Sequence, residues 1–472
     1  MFPPKITISR RSFFRKLSSG SAAIGIGSLI TNDDLDAISG HVNTNSQPSD
    51  LKISDMRLVT VEGHHILRLD TNQGISGYGE LYLGSSKTYA LILKSRILGM
   101  NPCNVDQIFR KIKQFAFHSR QGAGVSSIEM ALWDLAGKVW SVPVWQMLGG
   151  KFRDKIRVYA DTTMAVDPVK MGNKLKERMN RGCTFLKMDV SVSLLNGIEG
   201  TLTYPKGQRV DPFKHNPWDA TTPHPFTGVR ITEKGLKILQ EYVAAIREIV
   251  GWEIPIATDH FGHFAIEDGI KLAQALEKFN LAWLEDMVPW FYTDQYVRLR
   301  NSCTTPILTG EDINSKEGFK ELFEKKAIAI CHPDLAVAGG ILEVKKIGDL
   351  AMENGIAMAM HMAGTAIMMF PAVHCAAATE NFLCMEHHGL DDEWYDKLVD
   401  GVPKPLMDKE GFISVPNGPG MGIKLNEEIV KRMLKDPKKE FFPPTDEWND
   451  EKSHDRLWSF ANPDRDKPIH LF

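Results

Sequence analysis

Three acidic residues in this chain, Asp259 in IATDHFG, Glu285 in WLEDMVPW and Glu311 in ILTGEDI, each close a short apolar run and lie 26 residues apart. About that many residues make a β-strand, a loop, a helix and a return loop, so equal spacing puts the three side chains at the same end of neighbouring parallel strands. Three carboxylates gathered there repel one another unless a cation holds them, and an oxygen-only ligand set points to Mg²⁺.

The ladder continues with other chemistry. Asp334, 23 residues after Glu311, ends AICHPD, and His361, 27 residues further on, ends AMAMH. On adjacent strands the carboxylate bonds one imidazole nitrogen, which fixes the tautomer and makes the other nitrogen a better base. Lys187 and Asp189 in LKMDV share a strand face because side chains alternate. Lys187 is then placed to stabilise a carboxylate or enolate oxygen, and Asp189 to bind a hydroxyl or assist the metal. Glu386, 25 residues beyond His361, is positioned to hydrogen-bond a developing enediolate. A divalent ion on a carboxylate substrate lowers the cost of removing the α-proton, because charge builds on the carboxylate oxygens as that bond breaks. The enediolate is then reprotonated, giving racemisation or epimerisation, or it expels a β-hydroxyl, giving dehydration.

The elements that must carry these residues are legible as a rhythm. IRVYAD, FLKMDV, IPIATD, LAWLED, PILTGED, AIAICHPD, IAMAMH and FLCMEH read as eight strands, most of them separated by helical segments such as GLKILQEYVAAIREIVG and GILEVKKIGDLAMENG. Eight such units close a (β/α)₈ barrel over residues 156–395, with the active centre at the C-terminal ends of the strands. Before it, residues 51–155 read as an α+β capping domain. DMRLVTVEGHHILRLDTNQGISGYGE gives two or three antiparallel strands, with Asn72–Gly74 and Gly77 as turn signals. SSIEMALWDLAGKVWSVPVWQMLGG gives a helix capped at Ser126 or Ser127 and ending at Gly149. An insertion at 191–229, rich in Pro, Gly, His and aromatic residues, reads as a lid or substrate wall, with His215, Trp218 and His224 as candidate contacts. Residues 396–472 are expected to pack back on the capping domain and end in a polar tail, with Trp448, Trp458 and Phe460 as docking residues.

Composition sets the outer bounds. The 472 residues, 43% hydrophobic and 24% charged, suit a barrel of roughly 200 to 250 residues with an accessory domain. A net charge of -3 offers no basic field for nucleic acid, and zinc-finger spacing is absent. Six scattered cysteines without a CxxC pair do not suggest a disulfide-stapled fold. The first 45 residues differ in texture. Ser9, Arg10, Arg11, Ser12 and Phe13 precede a weakly apolar stretch from Ala22 to Ile30, a pattern that resembles a twin-arginine export signal and implies a periplasmic or otherwise exported protein. That stretch is far short of the roughly 20 residues of a membrane span, so stable membrane insertion is not expected.

Taken together, the SSIEMALWDLAGK helix, the Asp259, Glu285, Glu311 ladder, PDLAVAGGI with Asp334, His361 and Glu386 resemble the enolase superfamily, and within it the mandelate racemase type of galactonate-dehydratase-like enzymes. The resemblance covers about residues 51 to 425. It implies a Mg²⁺ site at the ladder, an Asp334–His361 acid/base dyad, Glu386 near the enediolate, and a capping-domain loop around Tyr78 to Ser86 that contributes to specificity. Family racemases often carry Lys-x-Lys on the second strand, whereas this chain has Lys187-Met188-Asp189, which argues against a two-base racemase. Galactonate-dehydratase-like members carry a His two residues after the first metal ligand, and here that position is Phe261. His263, of the same parity, is the first candidate for the acid that serves the departing hydroxyl; His260 and a mere loop role are the alternatives. The expectation is therefore Mg²⁺-dependent dehydration of a small-molecule, aldonate-like sugar acid to a 2-keto-3-deoxy acid, with epimerisation or cycloisomerisation as the second reading and a non-catalytic carbohydrate-binding protein as the third. A symmetric homo-oligomer is implied by the family resemblance alone.

Overall fold

A computed structural model of the chain describes residues 50–116, 122–195, 197–203, 228–259 and 265–451. Arg10 and Arg11, His215, Trp218, His224, His260, Phe261, His263, Trp458 and Phe460 lie outside the described residues.

The capping domain begins with an antiparallel meander, β1 (Ile53–Val61), β2 (His64–Thr71) and β3 (Ser76–Glu80). Glu62 and Gly63 turn β1 into β2 with positive φ, and Gly74 does the same before β3, where the sequence signalled a turn. Gly77 is no turn residue, contrary to expectation. It lies inside β3, where a Cβ would sit 2.3 Å from the Ala131 carbonyl oxygen, so its role is close approach of strand to helix.

That helix, α1 (Gly122–Trp140), corrects a second expectation. Ser126 and Ser127 do not cap it; they are one turn inside, and their hydroxyls donate back to the Gly122 and Gly124 carbonyls. Nor does it run to Gly149. Ser141, in the left-handed region at φ 56, breaks it, and Pro143 precedes a separate short turn of helix at Val144–Met147.

The barrel strands are β4 (Lys155–Ala160) and β5 (Leu186–Asp189), then, after a small antiparallel pair β6 (Leu202–Thr203) and β7 (Arg230–Ile231) at the base of the insertion, β8 (Ile256–Asp259), β9 (Leu284–Glu285), β10 (Ile307–Thr309), β11 (Ile330–Cys331), β12 (Ala357–Met360) and β13 (Phe382–His387). Parallel pairing runs β4-β5-β8-β9-β10-β11-β12-β13 and closes when β13 returns to β4, Glu386 opposite Tyr159. Helices α2 (Pro168–Asn180), α3 (Glu233–Val250), α4 (Ile266–Leu276), α5 (Thr293–Arg300), α6 (Ser315–Glu324), α7 (Ile341–Glu353) and α8 (Ala366–Ala378) follow the first seven barrel strands. Local signals start several of them. Asp167 accepts the Lys170 N–H with Pro168 at the first turn, and the Thr232 hydroxyl accepts the Gly235 N–H.

Inside the barrel, Tyr159, Phe185, Trp283, Leu308, Ile330 and Cys384 fill the floor, so the cylinder is a packed core and only its rim is free for chemistry. Beyond the barrel, β14 (Val399–Asp400) pairs with β16 (Lys424–Leu425), while β15 (Phe412–Ser414) runs antiparallel to the start of β4. The C-terminal segment thus touches the barrel. It also touches the capping domain, where Lys94 donates to Thr445 and the Thr445 hydroxyl donates to Met56. All six cysteines are free thiols. Among the described residues no helix is long and apolar enough to cross a membrane.

Candidate active site

Asp259 closes β8, Glu285 closes β9, and Glu311 follows β10 by two residues, so the strand geometry delivers all three carboxylates to one rim. Lys187, on β5, stands among them. Its Nζ is 2.7 Å from Asp259 Oδ2, 2.9 Å from Glu386 Oε1 and 3.4 Å from Glu285 Oε2. Burial by itself would strip the Lys187 proton, but the Asp259, Glu285 and Glu386 charges outweigh it and hold the ammonium well above its ordinary range.

Asp334 is fixed before it meets its partner. One carboxylate oxygen accepts the Ala336 N–H at 2.6 Å, capping the short helix Leu335–Ala338, and the other faces His361 Nδ1 at 2.6 Å. The proton on Nδ1 is therefore committed to Asp334, and Nε2 points inward, 3.5 Å from Glu311 Oε2 and 3.5 Å from Glu386 Oε2. Burial works against a charged imidazole here, yet the Glu311, Glu386 and Asp334 carboxylates push the His361 pKa well up.

A layer below the rim holds Glu285 still. Trp283 Nε1 donates to its Oε2 at 3.0 Å, and His332 Nδ1 lies 2.7 Å from Oε1 while His332 Nε2 meets the Tyr159 hydroxyl at 2.8 Å. Asp286, beside Glu285 in the left-handed region at φ 48, accepts from Thr309 Oγ1. Burial, then repulsion from Glu311, Glu285 and Asp259, holds the Asp286 carboxyl well above its ordinary value. Glu311 is pushed to about 6, by burial first and then by Asp259 and Glu285, against the pull of His361 and Lys187. Glu386 goes the other way: burial would raise it, but Lys187, His361 and His388 together hold it well below.

Of the residues proposed from sequence, Asp259, Glu285, Glu311, Lys187, Asp334, His361 and Glu386 converge. Asp189 ends β5 in register with Asp259, and its charge is felt by Tyr242 of α3. Tyr78 packs on Phe442 of the C-terminal segment, and the link from this strand to the barrel is Glu80 instead. Glu80 accepts from the Thr365 N–H at 2.9 Å, the Thr365 hydroxyl at 2.5 Å and His64 at 2.8 Å. Sequence reasoning missed Asp286, His332, Tyr159 and His388. Same-face parity, two positions beyond Glu386, was the available signal for His388.

The donor set suits a hard divalent cation. Asp259, Glu285 and Asp286 offer carboxylate oxygens within 4.8 Å of one another, Glu285 and Glu311 stand equally close to a ring nitrogen of His332, and burial together with the surrounding negative charge raises the Asp286 and Glu311 carboxyls.

The sequence matches the family described as enolase C-terminal domain-like over residues 170–429, more than half of the chain, and the mandelate racemase/muconate lactonizing enzyme N-terminal domain over residues 36–149. The chain belongs to the enolase superfamily. Among similar superfamily proteins is a D-xylonate dehydratase of Haloferax volcanii, 31% identical over 397 residues, covering 81% of this chain and 89% of that protein. A D-galactonate dehydratase family member of Marinomonas sp. is 27% identical over 390 residues, covering 79% and 93%. Among solved structures, a mandelate racemase/muconate lactonizing enzyme-like protein from Rubrobacter xylanophilus superposes with a TM-score of 0.70 at 28% identity, covering 81% of this chain and 98% of that one. A member of the enolase superfamily from Salmonella Typhimurium gives 0.69 at 25% identity, covering 81% and 98%.

Proposed function

We propose that the protein is a Mg²⁺-dependent sugar-acid dehydratase that converts an aldonate-like acid to its 2-keto-3-deoxy product. The observation that carries this reading is the Asp334–His361 dyad, closed at 2.6 Å, whose Nε2 faces a carboxylate-crowded rim with Lys187 at its centre. The relatives named as dehydratases of D-xylonate and of the D-galactonate family support it.

Asp259, Glu285 and Glu311 would hold the cation, which when bound draws charge from the substrate carboxylate and so eases loss of the neighbouring C–H proton. His361 accepts that proton at Nε2, with Asp334 stabilising the imidazolium that results. Lys187 offers an ammonium to the oxygens on which charge accumulates, and Glu386 hydrogen-bonds the enediolate edge. The second strand carries Asp189 where a racemase of this type often carries a second lysine, so proton transfer is one-sided and expulsion of the β-hydroxyl is the outlet. The Ser9-Arg10-Arg11-Ser12-Phe13 segment, similar to a twin-arginine export signal, supports placing the enzyme outside the cytoplasm.

The test is incubation with Mg²⁺ and C4 to C6 sugar acids in D₂O, followed by NMR. A 2-keto-3-deoxy acid is the expected product. Deuterium incorporation at C2 with an epimer and no keto acid would replace dehydration with epimerisation.

A further inference from the structure

The last strand carries a histidine for which the scheme above has no role. β13 ends Glu386-His387 with His388 next, and alternation sends 386 and 388 to one face and 387 to the other. His387 Nδ1 accepts the Gly389 N–H, and its ring packs on Tyr395 at 5.1 Å, away from the rim. His388 faces the reaction centre. Its Nε2 is 3.5 Å from Glu386 Oε1 and its Nδ1 3.9 Å from Asp161 Oδ2, the residue immediately after β4. The His361 and His388 ring centres are 6.0 Å apart at 65°, with Glu386 reaching both.

The arrangement parallels that of Asp334 and His361 in looser form: a carboxylate lies behind each imidazole, hydrogen-bonded at 2.6 Å for His361 and 3.9 Å away for His388, and Glu386 stands between the two. It differs in access. The His388 side chain is 35% exposed and that of His361 only 7%, so His388 lies nearer the solvent side of the rim. Glu386 divides its two oxygens between the rings: Oε1 faces His388, and Oε2, buried and without a hydrogen bond, lies 3.5 Å from His361 Nε2. The titratable groups around His388 are Glu386, Asp161, His361 and His64; the carboxylates outweigh burial and favour its protonated form.

We infer that His388, oriented by Asp161, is the general acid for the departing C3 hydroxyl. This rests on the dehydration reading. His361 takes the C2 proton and the C2–H electron pair moves onto the carboxylate as the enediolate; that pair then returns to form the C2=C3 bond as the C3–O pair leaves with oxygen, which takes the His388 Nε2 proton and becomes water. The enol then gains the His361 proton at C3 and releases its O–H proton, which returns to His388 through solvent. His361 and His388 are thereby restored, and the sum is one water lost.

The experiment compares wild type, His388→Gln and Asp161→Asn on an aldonate and on its 3-deoxy-3-fluoro analogue, whose fluoride departs without protonation. For His388→Gln, dehydration falls by about 100-fold or more while C2–H exchange into D₂O persists and fluoride elimination stays within about 10-fold of wild type, the range general acid catalysis accounts for. Asp161→Asn, which keeps the imidazole, lowers dehydration by about 10-fold with exchange intact. Unchanged dehydration in both variants, or parallel loss of exchange and of both eliminations, overturns the assignment. A wild-type enzyme that exchanges C2–H but dehydrates none of the aldonates overturns the dehydratase reading, and this assignment with it; active wild type with an active His388→Gln overturns this assignment alone.

Discussion

Buried carboxylates at the barrel rim and at the seam with the capping domain are satisfied in opposite ways. At the seam Glu129 of α1 is saturated. Its oxygens accept the Ile341 N–H at 2.7 Å, the Leu342 N–H at 3.0 Å and Trp133 Nε1 at 2.6 Å, so it caps α7 from another domain. Gly340, at φ 90, makes room, since a Cβ there would lie 2.0 Å from Glu129 Oε2. Glu80 is likewise filled by Thr365 and His64. At the rim, Asp259, Glu285 and Glu386 gather around one lysine with Glu311 and Asp286 beside them, and burial followed by the charge of these neighbours raises the Glu311 and Asp286 carboxyls, whereas burial is the main cause at Glu129. A buried acid whose oxygens are all matched to donors is joinery. Acids that outnumber their counter-charges form a binding site, because the stability they forgo is returned when a cation arrives.

Breaking the rim side gives the largest effect. Glu311→Gln removes a repelled carboxylate: turnover falls about a thousandfold or more, equivalent to about 4 kcal/mol, and Mg²⁺ binding by calorimetry weakens. The metal-free melting temperature stays level or rises; a clear drop would mean that the rim is joinery too. Next comes Asp334→Asn, which leaves the ladder intact and withdraws the partner that fixes the His361 tautomer. Turnover falls by about 10²- to 10⁴-fold while Mg²⁺ affinity holds. The smallest free-energy change belongs to the seam. Glu129→Gln costs about 1–3 kcal/mol by denaturant titration, with kcat per folded enzyme unchanged.

The seam also has a pH signature. Burial, against the three donors, pushes the Glu129 carboxyl up to about 7 from an ordinary 4.5. The folded state therefore keeps a proton that the unfolded chain releases over that window, and the contribution to stability falls as pH rises from about 4.5 to 7. The stability difference between wild type and Glu129→Gln should narrow across that range, and a constant difference would refute the shift.

The barrel was legible because each strand is an apolar run closed by a charged or polar residue at near-equal spacing, a pattern that local sequence carries whole. The ladder, Lys187 and the dyad came with it. What escaped was fixed by contacts between distant segments. Ser126 and Ser127 look like caps, but they bond back inside a helix whose start lies further upstream. Gly77 looks like a turn until helix α1 is packed against it. His332 and Tyr159 read as strand residues, and only barrel closure stacks them beneath Glu285. His388 has the parity of Glu386, yet its worth depends on Asp161, from the opposite end of the barrel sequence.

Closure of β13 on β4 has a consequence for when the enzyme comes to life during folding. Lys187 and Glu386 meet across 199 residues of sequence, and Glu386 and His388 reach the rim only once the final strand has docked beside the first. A growing or half-folded chain can already carry the acidic ladder and His361, but it lacks the glutamate that links the two imidazoles. Contacts of such long range form late, because the entropy of bringing distant segments together must be overcome first. The rim is complete only when β13 is docked on β4, so closing the barrel and completing the site are one and the same step.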